Sequence, residues 1–398
     1  IGAGPAGLSA AHDLALAGYG VTVFDSSREA GGMLNRGVPQ FRLPRGVLRQ
    51  EVAALAKGGI QFRLGTFIGP AQMEALLEEF DALLVAVGAP HPKMLEVAGW
   101  NLEGICSAVD FMDRMNSGSE LWRHPGQEFI EHGEIVIIGG GSVAVDAARA
   151  AVRYGALKVT LVCLECGEQI PAHEWELAEA AAEGVLIMDG WKPLRYLGEQ
   201  PKLDAVELIR VESLTKDSAG EITCQTIPGT EKTIKADLVV EAIGQKAAGL
   251  WDSYRNSEKV FFAGDVQSGD LSAVQAMAAG KGAALAIDGA LRGGQLKDPL
   301  DLRILRQAPI EEKIYPATRL KEIFYQLPLL DPEKRIKSME ETVELVLDRS
   351  EALAEVNRCL ECGYQQVDPE KCIGCSVCQK VCPKGGVIRM IRVEKEAR

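Results

Sequence analysis

The chain holds 398 residues with a formal charge of −13, and 47% of them are apolar and 25% charged. That length accommodates two or three ordinary domains, and the composition is that of a globular protein. The acidic balance argues against a nucleic-acid partner, which a basic surface would serve, and no apolar run approaches the roughly 20 residues that span a bilayer.

The chain opens on Ile1-Gly2-Ala3-Gly4-Pro5-Ala6-Gly7, a G-x-G-x-x-G turn leading into a helical segment and then a β-branched run, Val21 to Phe24, that ends in Asp25. Gly2 permits the tight strand-to-helix turn, Gly4 lets a pyrophosphate approach the main chain, and Gly7 seats the helix close on the sheet. Unpaired N–H groups at the helix start would hold the pyrophosphate, and Asp25 would accept hydrogen bonds from a ribose. Glycine turns also arise for packing alone; the strand–helix–strand context and the acid favour a dinucleotide. A strand should precede such a turn by several apolar residues and only Ile1 stands there. The sequence is therefore expected to be cut inside its first strand, which leaves a targeting peptide or an upstream domain open.

Gly31-Gly32-Met33-Leu34 and Gly37 to Pro44 are dense in glycine and proline, which marks an ordered loop rather than a helix. Asp81 to Ala89 predicts a buried strand ending in a glycine turn, and Asp237 to Gln245 is its twin; each closes a Rossmann-like unit. Between them the fingerprint recurs. Glu134 to Ile138 runs as a strand into Gly139, Gly141 and Ala144, a helix is predicted over Val143 to Tyr154 with Gly155 at its end, and a strand over Val159 to Cys163. Two such folds predict two nucleotides, a flavin and a nicotinamide. Cys163 and Cys166 form a C-x-x-C after that second fingerprint, and an ordinary pair of thiols at a strand end is expected. His173 is read as structural, because hydride transfer needs positioning more than a proton relay.

Val260 to Asp265 predicts a strand, a glycine and an acid, followed by an alanine-rich helix from Ser272 to Leu291. The acid would hold a ribitol hydroxyl, and the helix start would face the flavin's N1–C2=O edge, where its dipole favours the reduced form. Asp298 to Pro332 has several prolines and no clean period, as a linker packed on the main body would. Ser338 to Glu341 reads as a capping box, with two helical segments to follow, the second over Ser350 to Leu360. The tail then carries Cys359, Cys362 and the run Cys372, Cys375, Cys378, Cys382-Pro383. This is the C-x2-C-x2-C-x3-C-P spacing of bacterial ferredoxins. Zinc is the alternative, but the internal spacing and the proline favour iron–sulfur. Six tail cysteines complete one [4Fe-4S] site, from Cys372, Cys375 and Cys378 with Cys382 or one of Cys359 and Cys362. A second cluster would have to borrow ligands. Cysteines used this way predict a reducing, cytoplasmic setting.

The stretches IGAGPAGLSAA, GGMLNRGVPQFRLP, VIIGGGSVAVDAARAA, VVEAIGQ and FFAGDVQSGDLSAVQAMAAGKGAA resemble the two-dinucleotide flavoprotein family of the glutamate synthase small subunit and the related module of dihydropyrimidine dehydrogenase. The resemblance implies an α/β fold with two Rossmann-like domains and a ferredoxin-like [4Fe-4S] segment. It places an FAD domain at 1–114 and 246–295, an inserted NAD(P) domain at 115–245, a linker at 296–337 and the helical and iron–sulfur segment at 338–398. To the FAD it assigns Gly2, Gly4, Pro5, Ala6, Gly7, Asp25, Gly32, Met33, Leu34, Arg42 and Gly88, then Gly264, Asp265, Ser272, Ala273 and Val274. To the nicotinamide nucleotide it assigns Gly139, Gly141, Ser142, Val143 and Gly244, and this chain's own Glu165, a departure from the family, is expected to join them. Members using NADPH carry two arginines where this chain has Leu164 and Glu165, and a carboxylate there would repel a 2′-phosphate, so NAD(H) is expected.

Hydride transfer between NAD(H) and FAD is then expected, with electrons passing through the cluster to iron–sulfur or catalytic partner subunits or to a ferredoxin-like carrier. A free-standing ferredoxin–NAD(P) reductase, a glutamate synthase small subunit and a non-catalytic relay scaffold are the alternatives.

Overall fold

The computed structural model describes residues 1–117, 132–216, 222–269, 271–293 and 327–358. Residues 1–298 and 327–346 belong to one compact unit. Its first sheet follows from the opening turn. Helix α1 (Pro5–Leu16) has proline at its first position, where a missing N–H costs nothing. It leads to β1 (Thr22–Phe24), α2 (Met33–Arg36), α3 (Arg45–Lys57), β2 (Gln61–Arg63), α4 (Pro70–Glu79) and β3 (Leu83–Val85). Strand β1 pairs in parallel with β2. Ile1 donates to Leu84 O and accepts from Ala86 N–H, while Gly2 N–H donates to Phe24 O, so the first two residues form the rung joining β1 to β3.

The chain leaves this sheet through β4 (His91–Pro92) and enters a second one. That parallel sheet comprises β5 (Ile105–Ser107), β6 (Glu134–Ile138), β7 (Lys158–Cys163), β8 (Leu186–Asp189) and, later in the chain, Leu238–Glu241. Helix α5 (Ala108–Ser117) follows β5, α6 (Ser142–Arg153) follows β6, and α7 (Glu174–Ala182) follows β7. An antiparallel layer missing from the sequence reading comes next: β9 (Trp191–Leu197), β10 (Ala205–Lys216), β11 (Ile222–Thr226) and β12 (Lys232–Lys235). Strand β13 (Leu238–Glu241) then lies between β5 and β6. The chain returns through β14 (Gln245–Lys246), antiparallel to β4. Strand β15 (Val260–Phe262) pairs in parallel with β3 and completes the first sheet. Helices α8 (Asp265–Ser268) and α9 (Ala273–Arg292) follow. Small residues let α9 lie on α1: a Cβ on Gly280 would meet Ala6 O at 2.1 Å.

Several expectations are corrected here. The stretch from Gly31 to Pro44 is not all loop, because Met33–Arg36 closes a helical turn after two glycines of positive φ. The boundary expected at 114 falls inside α5, whose Phe111, Met112 and Met115 are buried in the core of the second sheet. The crossing is made instead by β4 and β14, two paired two-residue strands that no change of composition announces.

The helix expected directly after Ser338 does not form. Ser338 Oγ accepts from Glu340 N–H, a local turn. The chain then bends, and Val343 O and Leu345 N–H pair with Leu330 N–H and Pro328 O. Met339 and Val343 are buried in the second core, and this tertiary pairing outweighs the capping signal. Residues 327–346, with α10 (Pro332–Arg335), thus pack as one piece across the expected boundary at 337. Of the other compact unit, the described residues hold α11 (Arg349–Arg358), close to the helix expected over Ser350 to Leu360. Among the described residues no helix is long and apolar enough to cross a membrane.

Candidate dinucleotide sites

The first glycine turn is held from three sides. Gly2 has φ +103°, and a Cβ there would meet Ala86 O at 2.3 Å, so only glycine fits beneath the end of β3. Asp25, at the end of β1, accepts from Ala3 N–H at 2.6 Å and from Ser27 N–H at 2.7 Å. The acid therefore organises the turn itself, a role the sequence reading missed. Gly31 N–H returns to Ala3 O, and a Cβ on Gly32 would lie 2.8 Å from Gly4 Cα. The two glycines face each other as a cradle that any side chain would fill. Gly264 comes within reach of Ala6 on the third side.

Helix α1 starts at Gly4 with no side-chain cap, which leaves N–H groups of its first turn for an anion. The turn thus gathers Gly2, Gly4, Pro5, Ala6, Gly7, Asp25, Gly32 and Gly264, with Met33 and Leu34 opening α2 beside them. Gly88 adopts φ +71° just past β3. Asp265 starts α8 and accepts from Leu271 N–H at 3.1 Å. Ser272 caps α9 by accepting from Gln275 N–H, leaving the Ala273 and Val274 amides at the open end of the helix. A polar cavity of about 540 Å³ is lined by Ser27, Arg28, Asn35, Arg36 and Asn116 among others. Among the described residues Asn116 Oδ1 is buried without a hydrogen-bond partner.

The second turn repeats the construction. Gly139 has φ +141°, and a Cβ there would meet Ala242 O at 2.4 Å, just as Gly2 lies beneath Ala86. Helix α6 starts at Gly141, again with no side-chain cap, and Gly244 adopts φ +103° past β13. Val143, in the first turn, is exposed. Glu165 closes on the turn: a Cβ on Gly140 would sit 2.9 Å from its Oε2. Ala172 N–H donates to Gly140 O, which brings the chain from Glu165 to His173 along the same wall. Cys163 is buried and Cys166 exposed, and both are free thiols. Burial pushes the Cys163 thiol up to about 12, so it is inert at neutral pH. His173 caps α7 within a capping box with Glu176.

Arg42 is placed differently from the other residues assigned to the flavin. Its Nε donates to Asp146 Oδ1 at 2.5 Å and its Nη2 to Glu176 Oε1 at 2.8 Å, both on helices of the second sheet. Behind them lies a buried charge cluster. Glu183 accepts from Arg149 and Arg153, and Arg335 of α10 lies 3.0 Å from it. Burial opposes its charge, but the bonds from Arg153 and Arg149 hold the Glu183 carboxyl below the ordinary carboxylate value. Asp146, Glu176 and this cluster were missed from sequence. Cys359, Cys362, Cys372, Cys375, Cys378 and Cys382 lie outside the described residues.

Two uncapped glycine turns, each on its own Rossmann-like sheet and joined by a paired crossing, define a flavoprotein oxidoreductase with two dinucleotide sites. The chain belongs to the pyridine nucleotide-disulphide oxidoreductase family, whose pattern matches residues 1–280, and it carries a 4Fe-4S binding domain at residues 366–387. It is 33% identical over 391 residues to the NADP(+)-dependent formate dehydrogenase subunit beta of Moorella thermoacetica, covering 91% of this chain and 54% of the relative. It is 34% identical over 308 residues to the NAD-dependent dihydropyrimidine dehydrogenase subunit PreT of Escherichia coli, covering 74% of this chain and 68% of that one. The fold is shared with FprA of Mycobacterium tuberculosis in complex with NADPH, at a TM-score of 0.61 and 19% identity over 73% of this chain and 83% of that one. The chain thus spans about half the length of the formate dehydrogenase subunit. FAD, a nicotinamide nucleotide and a [4Fe-4S] cluster are the cofactors of this architecture.

Proposed function

We propose that the chain is the electron-transferring subunit of a larger oxidoreductase, linking NAD(H), FAD and a tail [4Fe-4S] cluster to a partner subunit. The observation that carries this reading is the pair of uncapped glycine turns within one compact unit, on a chain that also holds a 4Fe-4S binding domain. FAD, when bound, supplies the exchange between two-electron hydride chemistry and single-electron transfer. The residues of the chain do the rest. Gly4, Gly32, Asp25 and Asp265 would hold the flavin nucleotide, and Gly139, Gly141 and Ser142 would hold the nicotinamide nucleotide. Cys372, Cys375 and Cys378, with Cys382 or one of Cys359 and Cys362, would hold the cluster.

Relatives whose names carry NADP(+) and NAD both match, so the choice of NAD(H) rests on this chain's own Glu165. Its carboxylate lies against Gly140, where it would accept from a free 2′-hydroxyl and repel a 2′-phosphate. The names of both relatives call them subunits, which supports a partner for this chain. The cysteine spacing supports a reducing, cytoplasmic setting.

Truncation after Asp368 removes Cys372 to Cys382 and leaves both dinucleotide sites. Such a protein should bind FAD and reduce a small dye with NADH, and should lose bound iron and electron transfer to a protein acceptor. Cys375→Ser makes the gentler test. Full turnover through a protein partner without a cluster would overturn the reading, and a flavin that NADH does not bleach in stopped flow would reduce the chain to a relay.

A further inference from the structure

Glu176 joins three segments that are distant in sequence. Its Oε1 accepts from Arg42 Nη2 at 2.8 Å, and its Oε2 accepts from Ser142 Oγ at 2.7 Å and His173 N–H at 3.1 Å. The carboxylate is almost fully buried, with a side-chain exposure of 4%. Asp146, one turn along α6 from Ser142, takes the Nε of the same arginine. The flavin-side loop is pinned beside this contact as well. Phe41 is buried under Arg149 and Arg153, whose guanidinium carbons lie 5.0 Å and 4.0 Å from its ring centre. Arg42 also lies 5.3 Å over the Trp175 ring, which stacks on His173. Ser142 is the first residue of the helix whose open end faces the second glycine turn. The loop that follows Gly32 and the first turn of the nicotinamide helix therefore share one buried carboxylate.

Resting on the reading that hydride passes between nicotinamide and flavin, we propose that Glu176 and Asp146 are positioning residues. Through Arg42 they tie the second glycine turn to the flavin-side loop, so that a nucleotide bound at one site orders the loop at the other. The fork of an arginine suits this, because two nitrogens of one rigid plane reach two carboxylates at once. A shared buried contact of this kind makes the coupling reciprocal: whatever steadies Ser142 steadies residues 37–44, and the reverse. Arg42 then serves the flavin site through the carboxylates of the other sheet, which orient its guanidinium and balance its charge.

The test uses the FAD-loaded full chain and NAD⁺. Amide hydrogen exchange over residues 37–44 is followed with and without the nucleotide, in wild type and in Glu176→Gln and Asp146→Asn. Wild type should show slower exchange in that loop when NAD⁺ is added. The variants should still bind NAD⁺, within about threefold in Kd, and lose the protection. In stopped flow their limiting rate of flavin reduction by NADH should fall at least about tenfold, because misplacement at the reacting centre costs rate more than affinity. Arg42→Lys keeps the charge but reaches one carboxylate, so it should lose the protection too, and it stands in should either carboxylate variant fail to fold. Wild-type protection and limiting rate in all soluble variants would overturn the proposal. A wild-type flavin that NADH does not bleach would overturn the hydride reading instead, and the exchange experiment would still decide the coupling.

Discussion

Glu165 and Gly140 are in such close contact that a Cβ on the glycine would lie 2.9 Å from the carboxylate oxygen. The acid that follows the second strand is thus folded back onto the second glycine turn rather than out into solvent. The wild type should prefer NADH in kcat/KM. Leu164→Arg with Glu165→Arg should move the preference towards NADPH by supplying charge-assisted bonds of about 1.5–3 kcal/mol, roughly ten- to hundredfold. Steady-state kinetics with both nucleotides decides it, and a wild type that prefers NADPH would end the assignment.

Asp265 follows a glycine of φ +79° and accepts from Leu271 N–H, which places it at the start of α8 near the head of α9. Asp265→Ala should weaken FAD retention by about 1.5–3 kcal/mol through the lost charge-assisted bond, with iron content unchanged. Gel filtration followed by the flavin-to-protein absorbance ratio measures it. Full flavin in the mutant would remove Asp265 from the site.

Cys163 is buried with its thiol pushed up to about 12, whereas Cys166 is exposed. Alkylation of the native protein at neutral pH, mapped by mass spectrometry, should modify Cys166 and spare Cys163. Comparable labelling of both, or a disulfide between them after mild oxidation, would make them a redox-active pair instead.

Glu183 balances Arg149 and Arg153 in a setting closed to water, with Arg335 beside it. Removing it leaves Arg153 buried without its counter-charge, and Arg149 and Arg335 with Glu179 alone. Glu183→Ala should therefore cost about 3–5 kcal/mol in denaturant unfolding. A loss below about 1 kcal/mol would show that water enters and replaces the carboxylate.

Burial pushes the Asp146 carboxyl from 3.8 up to about 6, against the pull of Arg42 and Arg149 and with Glu176 adding to the rise. The native state then holds this proton more tightly than the unfolded chain. The contribution of Asp146 to stability is greatest below the unfolded value, falls as pH rises from 3.8 to about 6, and is level above that. The fall amounts to roughly 2–3 kcal/mol. Asp146→Asn should lack this component, so the difference between the two urea-unfolding free energies should change across that window. Parallel curves would mean that Arg42 keeps the carboxylate ionised throughout.

Local patterns made much of this molecule legible. Glycine spacing, strand runs and the acids that close them located α6 and α9 to within a residue or two and placed a helix directly after the first turn, because those features act through the backbone of neighbouring residues. The capping signal at Ser338 failed for the converse reason. It competes with tertiary pairing, and the pairing of Val343 and Leu345 with Leu330 and Pro328 prevailed.

The amino-acid order by itself determined the two glycine turns, the acids at Asp25 and Asp265 and the cysteine run, since each is a matter of spacing along a few residues. Only the tertiary structure decided where the chain crosses between the sheets and what Arg42 holds. It also turned Asp146, Arg149 and Arg153 of an alanine-rich helix inward. Charges at that spacing would face water on an isolated helix. They are held inward here because their partners, Arg42 for Asp146 and Glu179 and Glu183 for the arginines, arrive from other parts of the chain, and desolvating a charge is tolerated only where an opposite charge is already waiting.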